Sequence, residues 1–137
     1  MKKIALIAAL FLGLNGFAQS LTIKSDDVRI EFTTVFKNTT GTVGGFEATI
    51  NFDPASLAAS SISGSIDVGT LATGNNMRDN HLKSDDFFDA ENFPKISFES
   101  TKITSTDNGY RMEGSLTIED QTNTEVIEFT FANNIFY

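Results

Sequence analysis

Apolar and polar residues alternate with a period of two along most of the chain. Phe46, Ala48, Ile50 and Phe52, for example, are separated from one another by single polar residues. The pattern occurs in six segments, at residues 28–32, 46–52, 61–68, 95–99, 110–119 and 127–131. It predicts six β-strands, each with one apolar face and one solvated face. Such strands form an antiparallel sandwich or barrel, because the strands of a parallel sheet are buried on both faces.

Turn-forming residues lie between these segments. Residues 39–42 (Thr-Thr-Gly-Thr) and 106–109 (Thr-Asp-Asn-Gly) are predicted hairpin turns, and the Asn-Gly pair of the second turn suits positive φ. Since both turns are short, the strands that they join are expected to be antiparallel neighbours.

The longest connection, residues 69–93, contains a predicted short helical segment before the fourth strand. Ser84 is the expected N-cap, and two aspartates follow it in the first turn, where the helix dipole favours negative charge. Phe87 and Phe88 are expected to pack inward, and Pro94 ends any helix before the next strand.

The N-terminus resembles a cleavable export signal. Lys2 and Lys3 precede an apolar run, Ile4 to Leu14, and Gly16-Phe17-Ala18 supplies small residues for cleavage before Gln19. The apolar run is about half of the ~20 residues that span a bilayer, which argues against a stable membrane anchor. We therefore expect a signal peptide at 1–18 and one β-barrel domain at 19–137, located in the periplasm or secreted.

Composition narrows the class of partner. The chain has a net charge of −8 and no cysteine. An acidic surface argues against nucleic acid and anionic lipid headgroups as partners, and a chain without cysteine has no disulfide and no thiolate chemistry. The domain must therefore be held together by an apolar core, which is rich in phenylalanine because the chain has 13 Phe and no Trp.

The polar residues give no strong catalytic or metal motif. His81 is the single histidine, and no G-x-S-x-G sequence accompanies it, so a capping or surface role is favoured over catalysis. The acidic residues at 79–91 lack the spacing of a calcium loop. Arg78 and Asp79 are either an ion pair that fixes the long loop or a solvated pair. We expect neither a cofactor nor a metal site, and no enzymatic activity.

Residues 77–101 resemble the signature of the YceI family. This stretch begins with Met77-Arg78-Asp79-Asn80-His81-Leu82 and includes Phe93-Pro94-Lys95-Ile96-Ser97-Phe98. The segments 21–32, 44–54 and 114–118 are similar to other strands of that family in the same order. The resemblance implies an exported, lipocalin-like antiparallel barrel whose apolar pore holds a polyisoprenoid or similar lipid chain. The family pattern continues for several strands beyond residues 127–131, whereas this sequence ends at Tyr137. Six strands and the start of a seventh cannot complete a barrel of the usual eight, so we expect an incomplete barrel that is open at its C-terminal edge.

The residues expected to line the apolar interior share the apolar parity of their strands. They are Ile30, Phe32, Phe46, Ile50, Phe52, Ile66, Phe98, Tyr110, Met112, Leu116, Phe129 and Phe131. Two interpretations stay open at this point: the side chains fill the interior themselves, or they surround a bound apolar chain.

Three functional classes follow from these observations. The favoured class is an exported carrier of an apolar lipid or polyisoprenoid chain. The alternative is a non-enzymatic interaction module, which pairs with a partner chain or forms a homodimer through an open C-terminal edge. An enzyme that depends on His81 or on the Asp85–Asp86 pair is the least favoured.

Overall fold

The computed structural model describes residues 4–5, 20–25, 30–33, 39–132 and 135–136. Its strands are β1 (Ile4–Ala5), β2 (Ser20–Ser25), β3 (Ile30–Thr33), β4 (Thr40–Asn51), β5 (Ser61–Ala72), β6 (Lys95–Thr106), β7 (Gly109–Ile118), β8 (Gln121–Phe129), β9 (Phe131–Ala132) and β10 (Ile135–Phe136). A 3₁₀ turn (Leu57–Ala59) follows β4, and one α-helix, α1 (Asn76–Lys83), follows β5. Among the described residues, no helix has both the length and the apolar character of a transmembrane span.

The main sheet is antiparallel and curls into a half-barrel. Its strand order is β2-β4-β5-β6-β7-β8, and β3 also pairs with β4. Each of the six predicted strands corresponds to an observed one, so the predicted all-β fold with a short helix before the fourth predicted strand is confirmed. The segment that resembled one opening strand contains two strands, β2 and β3, which pair with different halves of β4.

One predicted turn is correct and the other is wrong. β6 and β7 are joined by Asp107 and Asn108, and Thr106 is paired with Gly109, as expected. Residues 40–42 instead belong to β4, where Gly41 is paired with Phe32. A Cβ at position 41 would lie 2.4 Å from Cζ of Phe32. This glycine therefore accommodates an aromatic ring and does not form a turn.

Irregular pairing bends the sheet in two places. The register between β4 and β5 shifts around Gly44 and Gly45, where Gly45 has a φ of 65°. The register between β6 and β7 shifts between Ser100 and Lys102. An extra residue of this kind bends a strand and increases its twist. It also reverses the side-chain alternation of β6, so that Ile103 lies on the same face as Phe98.

The two ends of the half-barrel differ in composition. One end, where β4 and β8 finish, has an aromatic cluster made of Phe52, Tyr110, Phe129, Phe131 and Phe136. The other end, where β5 finishes, has α1 and the buried side chains of Val43, Val68 and Leu71. The aromatic cluster is therefore confined to one end, and the buried side chains at the other end are aliphatic.

The helix begins nine residues before the predicted position. Its N-cap is Asn75, whose side chain accepts a hydrogen bond from the backbone N–H of Arg78, and Ser84 is its C-cap. The Ser84 hydroxyl donates to the carbonyl of His81 over 2.7 Å, which closes the helix. Serine and asparagine both suit the first position, and it is taken by Asn75, which directly follows Gly74 with its φ of 79°. Phe88 is half-buried but Phe87 is exposed, so only one of the two phenylalanines packs as predicted.

Most of the predicted export signal lies outside the described residues. Within it the structure describes only Ile4–Ala5, which pairs with Ile135–Phe136 of β10. Cleavage after Ala18 would remove this pairing and leave the β9–β10 pair. The signal peptide and its cleavage site stay predictions.

The β7–β8 turn generates a prediction about stability. Glu119 has a φ of 53°, a left-handed conformation that costs an L-residue with a Cβ about 1–2 kcal/mol. Glu119→Gly should therefore raise the free energy of unfolding by about 0.5–1 kcal/mol, because glycine removes the strain but adds some unfolded-state entropy. A thermal melt measures this change. Asp120→Gly in the same turn is the control and should lower stability; an equal gain from both variants would contradict the assignment of strain to Glu119.

Candidate functional site

The candidate site is the apolar face of the half-barrel. Directly opposed residues of an antiparallel pair lie on the same face, so the register identifies its members. Ile50 is opposite Ile62, Ile66 is opposite Ile96, and Phe98 is opposite Leu116. The apolar parity seen in the sequence therefore becomes one continuous face across β4 to β7.

Gly114 makes room for Phe98 at the centre of this face. Gly114 lies beside Phe98 on β7, whereas Gly64 is directly opposite Phe98 on β5 and a Cβ there would meet atoms of β4. A Cβ at position 114 would lie 2.4 Å from Cζ of Phe98 and 2.5 Å from the carbonyl oxygen of Glu99. The Phe98 ring therefore lies against the backbone of β7. Sequence periodicity did not assign this role to Gly114, although the residue opens a segment that resembled the family pattern.

The aromatic cluster closes one end of the apolar face. The ring of Phe52 makes edge-on contacts with four others at centroid distances of 5.0–5.5 Å, and Tyr110 stacks on Phe129 at 5.3 Å. Edge-on and offset arrangements are the favourable geometries for aromatic pairs. Ile103 and Met112 pack next to these rings and are buried.

The twelve residues predicted to line the interior are distributed along this face and its edges. Met112 and Phe129 are buried, and the other ten are half-buried. Phe52, Tyr110, Phe129 and Phe131 lie together in the aromatic cluster, while Ile30 and Phe32 lie on β3 against the first part of β4. Their role in ligand binding stays a prediction. Periodicity missed Ile103, which faces inward only because of the irregular pairing at Ser100–Lys102, and Phe136, which lies in the two-residue strand β10.

The opposite face of the sheet is polar and contains a shallow groove of about 370 Å³. Two cross-strand rows of residues line it, Glu47–Ser65–Ser97–Thr117 and Thr49–Ser63–Glu99–Ser115. Lys95 at its edge forms an ion pair with Glu47 over 3.1 Å. The groove is also lined by three residues of the apolar parity, Ala48, Gly64 and Phe98, and it contains none of the predicted polar active-site residues.

Arg78 and Asp79 meet at Thr73 and do not pair with each other. Asp79, only 8% exposed, accepts hydrogen bonds from the backbone N–H of Thr73 over 2.8 Å and from its hydroxyl. Arg78 donates from Nε to the same hydroxyl oxygen over 2.7 Å and from a terminal nitrogen to the Thr73 carbonyl over 3.0 Å. The hydrogen bonds from Thr73 are the main reason that the pKa of Asp79 is lowered. Of the two interpretations, loop fixation is therefore favoured, with Thr73 as the shared partner.

His81 lies on the exposed side of α1. Its Nε2 is 3.3 Å from Oδ2 of Asp86, and its ring contacts Phe87 edge-on at 4.9 Å. Within the described part of the chain the imidazole ring of His81 makes no hydrogen bond with a serine or threonine hydroxyl, and the Ser84 hydroxyl donates only to its backbone carbonyl. Among the described residues, no three histidine or acidic side chains are grouped closely enough to hold a metal ion.

A model of the YceI-like domain matches residues 21–136. The chain belongs to the YceI-like domain family. A UPF0312 protein of Vibrio cholerae is 35% identical over 92 residues, which are 66% of this chain and 49% of that relative. A UPF0312 protein of Photorhabdus laumondii is 32% identical over 82 residues, or 60% of this chain and 43% of the relative.

Solved structures of YceI-like proteins share the fold. The crystal structure of Burkholderia cenocepacia BcnA superposes with a TM-score of 0.68 at 28% identity, covering 84% of this chain and 67% of that one. A Campylobacter jejuni YceI protein superposes with a TM-score of 0.63 at 30% identity, covering 80% and 64%. The chain spans about half the length of the curated relatives that it matches.

Four matched substitutions test which residues of this YceI-like chain lie on the apolar face and which lie on the polar face. Phe98→Asp and Leu116→Asp place a charge on the apolar face and should unfold the domain or lower its stability by several kcal/mol (about 3 or more). Glu99→Ala and Thr117→Ala change the neighbouring polar positions and should shift stability by less than about 0.5 kcal/mol. Chemical denaturation measures all four. Greater damage from the second pair would show that the register is wrong by one residue.

The lowered pKa of Asp79 predicts a specific pH dependence. The folded-state pKa lies below the ordinary aspartate value, so the carboxylate stabilises the fold above about pH 4 and loses this effect as pH falls through the folded pKa. Asp79→Asn should therefore be less stable than the unmodified chain at pH 7, and the difference should shrink below about pH 4. Denaturation at several pH values provides the measurement, with Asp85→Asn, an exposed acid nearby, as control. A difference that is independent of pH would contradict the role of the charge.

Proposed function

We propose that this YceI-like chain is an exported binding protein that holds an apolar lipid or polyisoprenoid chain against the apolar face of its half-barrel. The observation that carries the proposal is that face itself, which is lined by half-buried aliphatic and aromatic side chains and bounded at one end by the aromatic cluster. The YceI-like family generally binds isoprenoid or lipid-like ligands, which supports the same class of ligand.

The chemistry of the face favours an alkyl or isoprenoid chain over a polar substrate. The central rows present Ile, Phe, Leu and Met, while the serines, threonines and glutamates of the same strands lie on the opposite face. A ligand that needs orientation by several hydrogen bonds finds few partners among such side chains. An apolar chain needs only contact and exclusion of water.

The partial exposure of the face supplies the driving force. Ten of the twelve predicted lining residues are half-buried, so a ligand would remove both its own apolar surface and part of theirs from water. Hiding about 300 Å² of ligand surface contributes roughly 7 kcal/mol at 25 cal/mol per Å², before the cost of ordering the ligand is subtracted. A longer apolar chain hides more surface, so this contribution grows with the length of the ligand.

Export fits the same function. The N-terminal residues have the charge and apolar pattern of a cleavable signal, and the acidic composition suits a protein that does not bind anionic membrane surfaces. A water-soluble carrier of an apolar chain is useful in a compartment where the ligand would otherwise stay in a membrane.

Native mass spectrometry of protein purified from its own host tests this function. We expect a bound apolar molecule that survives desalting and is released by organic solvent. Phe98→Asp should lose it if folded, whereas Glu99→Ala, on the polar face, should retain it. Ligand-free protein, or equal retention by a folded Phe98→Asp variant, would overturn the proposal.

A second candidate function is pairing with another chain through β8. This strand has a described partner on one side only, β7, and its residues from 121 to 128 are all exposed. Val126 and Ile127 are 43% and 40% exposed, and an uncovered strand edge is a template for β-sheet pairing.

Analytical ultracentrifugation at micromolar concentration tests this candidate. Pairing through β8 predicts a concentration-dependent dimer that is lost in Ile127→Lys, because an edge lysine blocks strand addition. Thr104→Lys, on β6, is the control and should leave the dimer intact. A monomer at every concentration would exclude homodimerisation through this edge.

A further inference from the structure

The connection between β5 and β6 lies at the end of the half-barrel opposite the aromatic cluster. β4 and β5 are paired from Asn51–Ser61 near the cluster to Thr42–Ala72 at the other end, where α1 follows. The connection returns to the sheet at Pro94, whose carbonyl accepts a hydrogen bond from the N–H of Val68 over 2.9 Å. The end opposite the aromatic cluster is therefore the end that this connection borders.

Residues 75–93 form one internally bonded unit. The backbone N–H groups of Phe88 and Ala90 donate to the carbonyls of Leu82 and Lys83, over 3.1 and 2.9 Å. Phe93 donates to the carbonyl of Asp89 over 2.8 Å. These bonds join α1 to the turns that follow it, so the helix and turns can move together.

Polar contacts, and no fully buried apolar side chain, hold this unit to the sheet. Asp79 is its only buried residue, and its apolar side chains are either half-buried, as are Leu82, Phe88 and Phe93, or exposed, as is Met77 at 84%. Both Asp79 and Arg78 bind Thr73, which directly follows β5. We call this set of contacts the Thr73 junction.

A flexible residue lies next to the junction. Gly74 has a φ of 79°, and a Cβ at this position would meet no heavy atom within 4 Å. Glycine adopts positive φ without steric cost, and no neighbouring side chain restricts the backbone here. Gly74 can therefore act as a hinge between the sheet and residues 75–93.

We propose that residues 75–93 are a gate that opens about Gly74 when the Thr73 junction breaks, and that the apolar ligand enters and leaves at this end. The inference rests on the proposed function for the nature of the ligand, but the motion itself is independent of it. A segment held by a few hydrogen bonds opens locally at much lower cost than one held by a buried apolar core. The aromatic cluster, in contrast, makes the other end a fixed stop.

Hydrogen exchange of the ligand-free protein tests the motion. Thr73→Val keeps the shape of the side chain but removes the hydroxyl shared by Arg78 and Asp79. We expect amide exchange in 75–93 to accelerate about tenfold, the effect of losing roughly one hydrogen bond, with β6 and β7 unchanged. Thr104→Val, which removes a hydroxyl on β6, is the matched control. No acceleration, or an equal acceleration throughout the sheet, would overturn the gate.

The rate of ligand exchange tests whether opening of the gate controls entry and exit of the ligand. The probe is N-phenyl-1-naphthylamine, an apolar dye whose fluorescence rises in apolar surroundings. Thr73→Val should raise both its association and dissociation rates about tenfold and leave its equilibrium affinity within about threefold, since the gate changes access more than contact. Thr104→Val should match the unmodified chain. Unchanged rates in Thr73→Val would overturn the assignment of the entry end.

A disulfide bond across the Thr73 junction should keep the gate closed. The chain has no native cysteine, so two introduced cysteines can pair only with each other. In Thr73→Cys/Asp79→Cys, the oxidised protein should exchange the dye at least about tenfold more slowly than the unmodified chain. The reduced protein should exchange it faster than the unmodified chain, because the hydrogen bonds between Thr73 and Asp79 side chains are lost. Equal rates in the oxidised and reduced states would overturn the gate. If the unmodified chain binds no dye, the proposed function fails, and the hydrogen-exchange result alone decides whether the gate exists.

Discussion

Phe98 occupies the centre of the sheet, and the packing around its ring constrains the strands on both sides. β6 is one of the two inner strands of the four that build the apolar face, and a ring there needs space that only a residue without a side chain leaves. Gly114 provides that space, so β7 can approach the ring closely, and Gly64 lies directly opposite Phe98 on β5. The ring then fixes which residues of the neighbouring strands are opposed. That register determines on which face of the sheet every other apolar side chain lies.

The extra residue in β6 extends the same constraint to the aromatic cluster. Without the irregular pairing at Ser100–Lys102, strict alternation would place Ile103 on the polar face. With it, Ile103 packs next to Met112 and Phe129, and the core continues from Phe98 to the rings at the end of the half-barrel. The sheet also bends there, which brings Phe52 of the β4 end within contact of Tyr110 on β7.

Much of the fold could be predicted from the alternation alone, since one buried face imposes a period of two on every strand. The features that could not be predicted depend on contacts between distant residues. Gly41 looked like a turn residue, but it accommodates Phe32. Ser84 and Asn75 are both good helix caps, and the choice between them depends on Thr73 and Gly74 outside the helix.

The candidate site also has some features that the sequence pattern predicts and others that depend on contacts between distant residues. Parity predicted which side chains share the apolar face, because alternation is a local property. It could not predict that Phe136 joins the aromatic cluster, since a two-residue strand has no detectable period. It also could not show that Arg78 and Asp79 both bind Thr73 in place of pairing directly, because two charged neighbours in a sequence give no information about a third residue.

The proposed ligand binding and the proposed edge pairing would use different strands of the sheet, so one does not exclude the other. An apolar chain would contact side chains such as Phe98 and Leu116, which lie in the middle of the sheet. A pairing strand would contact the backbone N–H and carbonyl groups of β8, and the side chains of Val126 and Ile127 at its exposed edge. Strand addition would widen the sheet and cover Ile127 while leaving the face around Phe98 open. A wider apolar face would then bury more of a bound chain, so pairing at the edge would strengthen ligand binding.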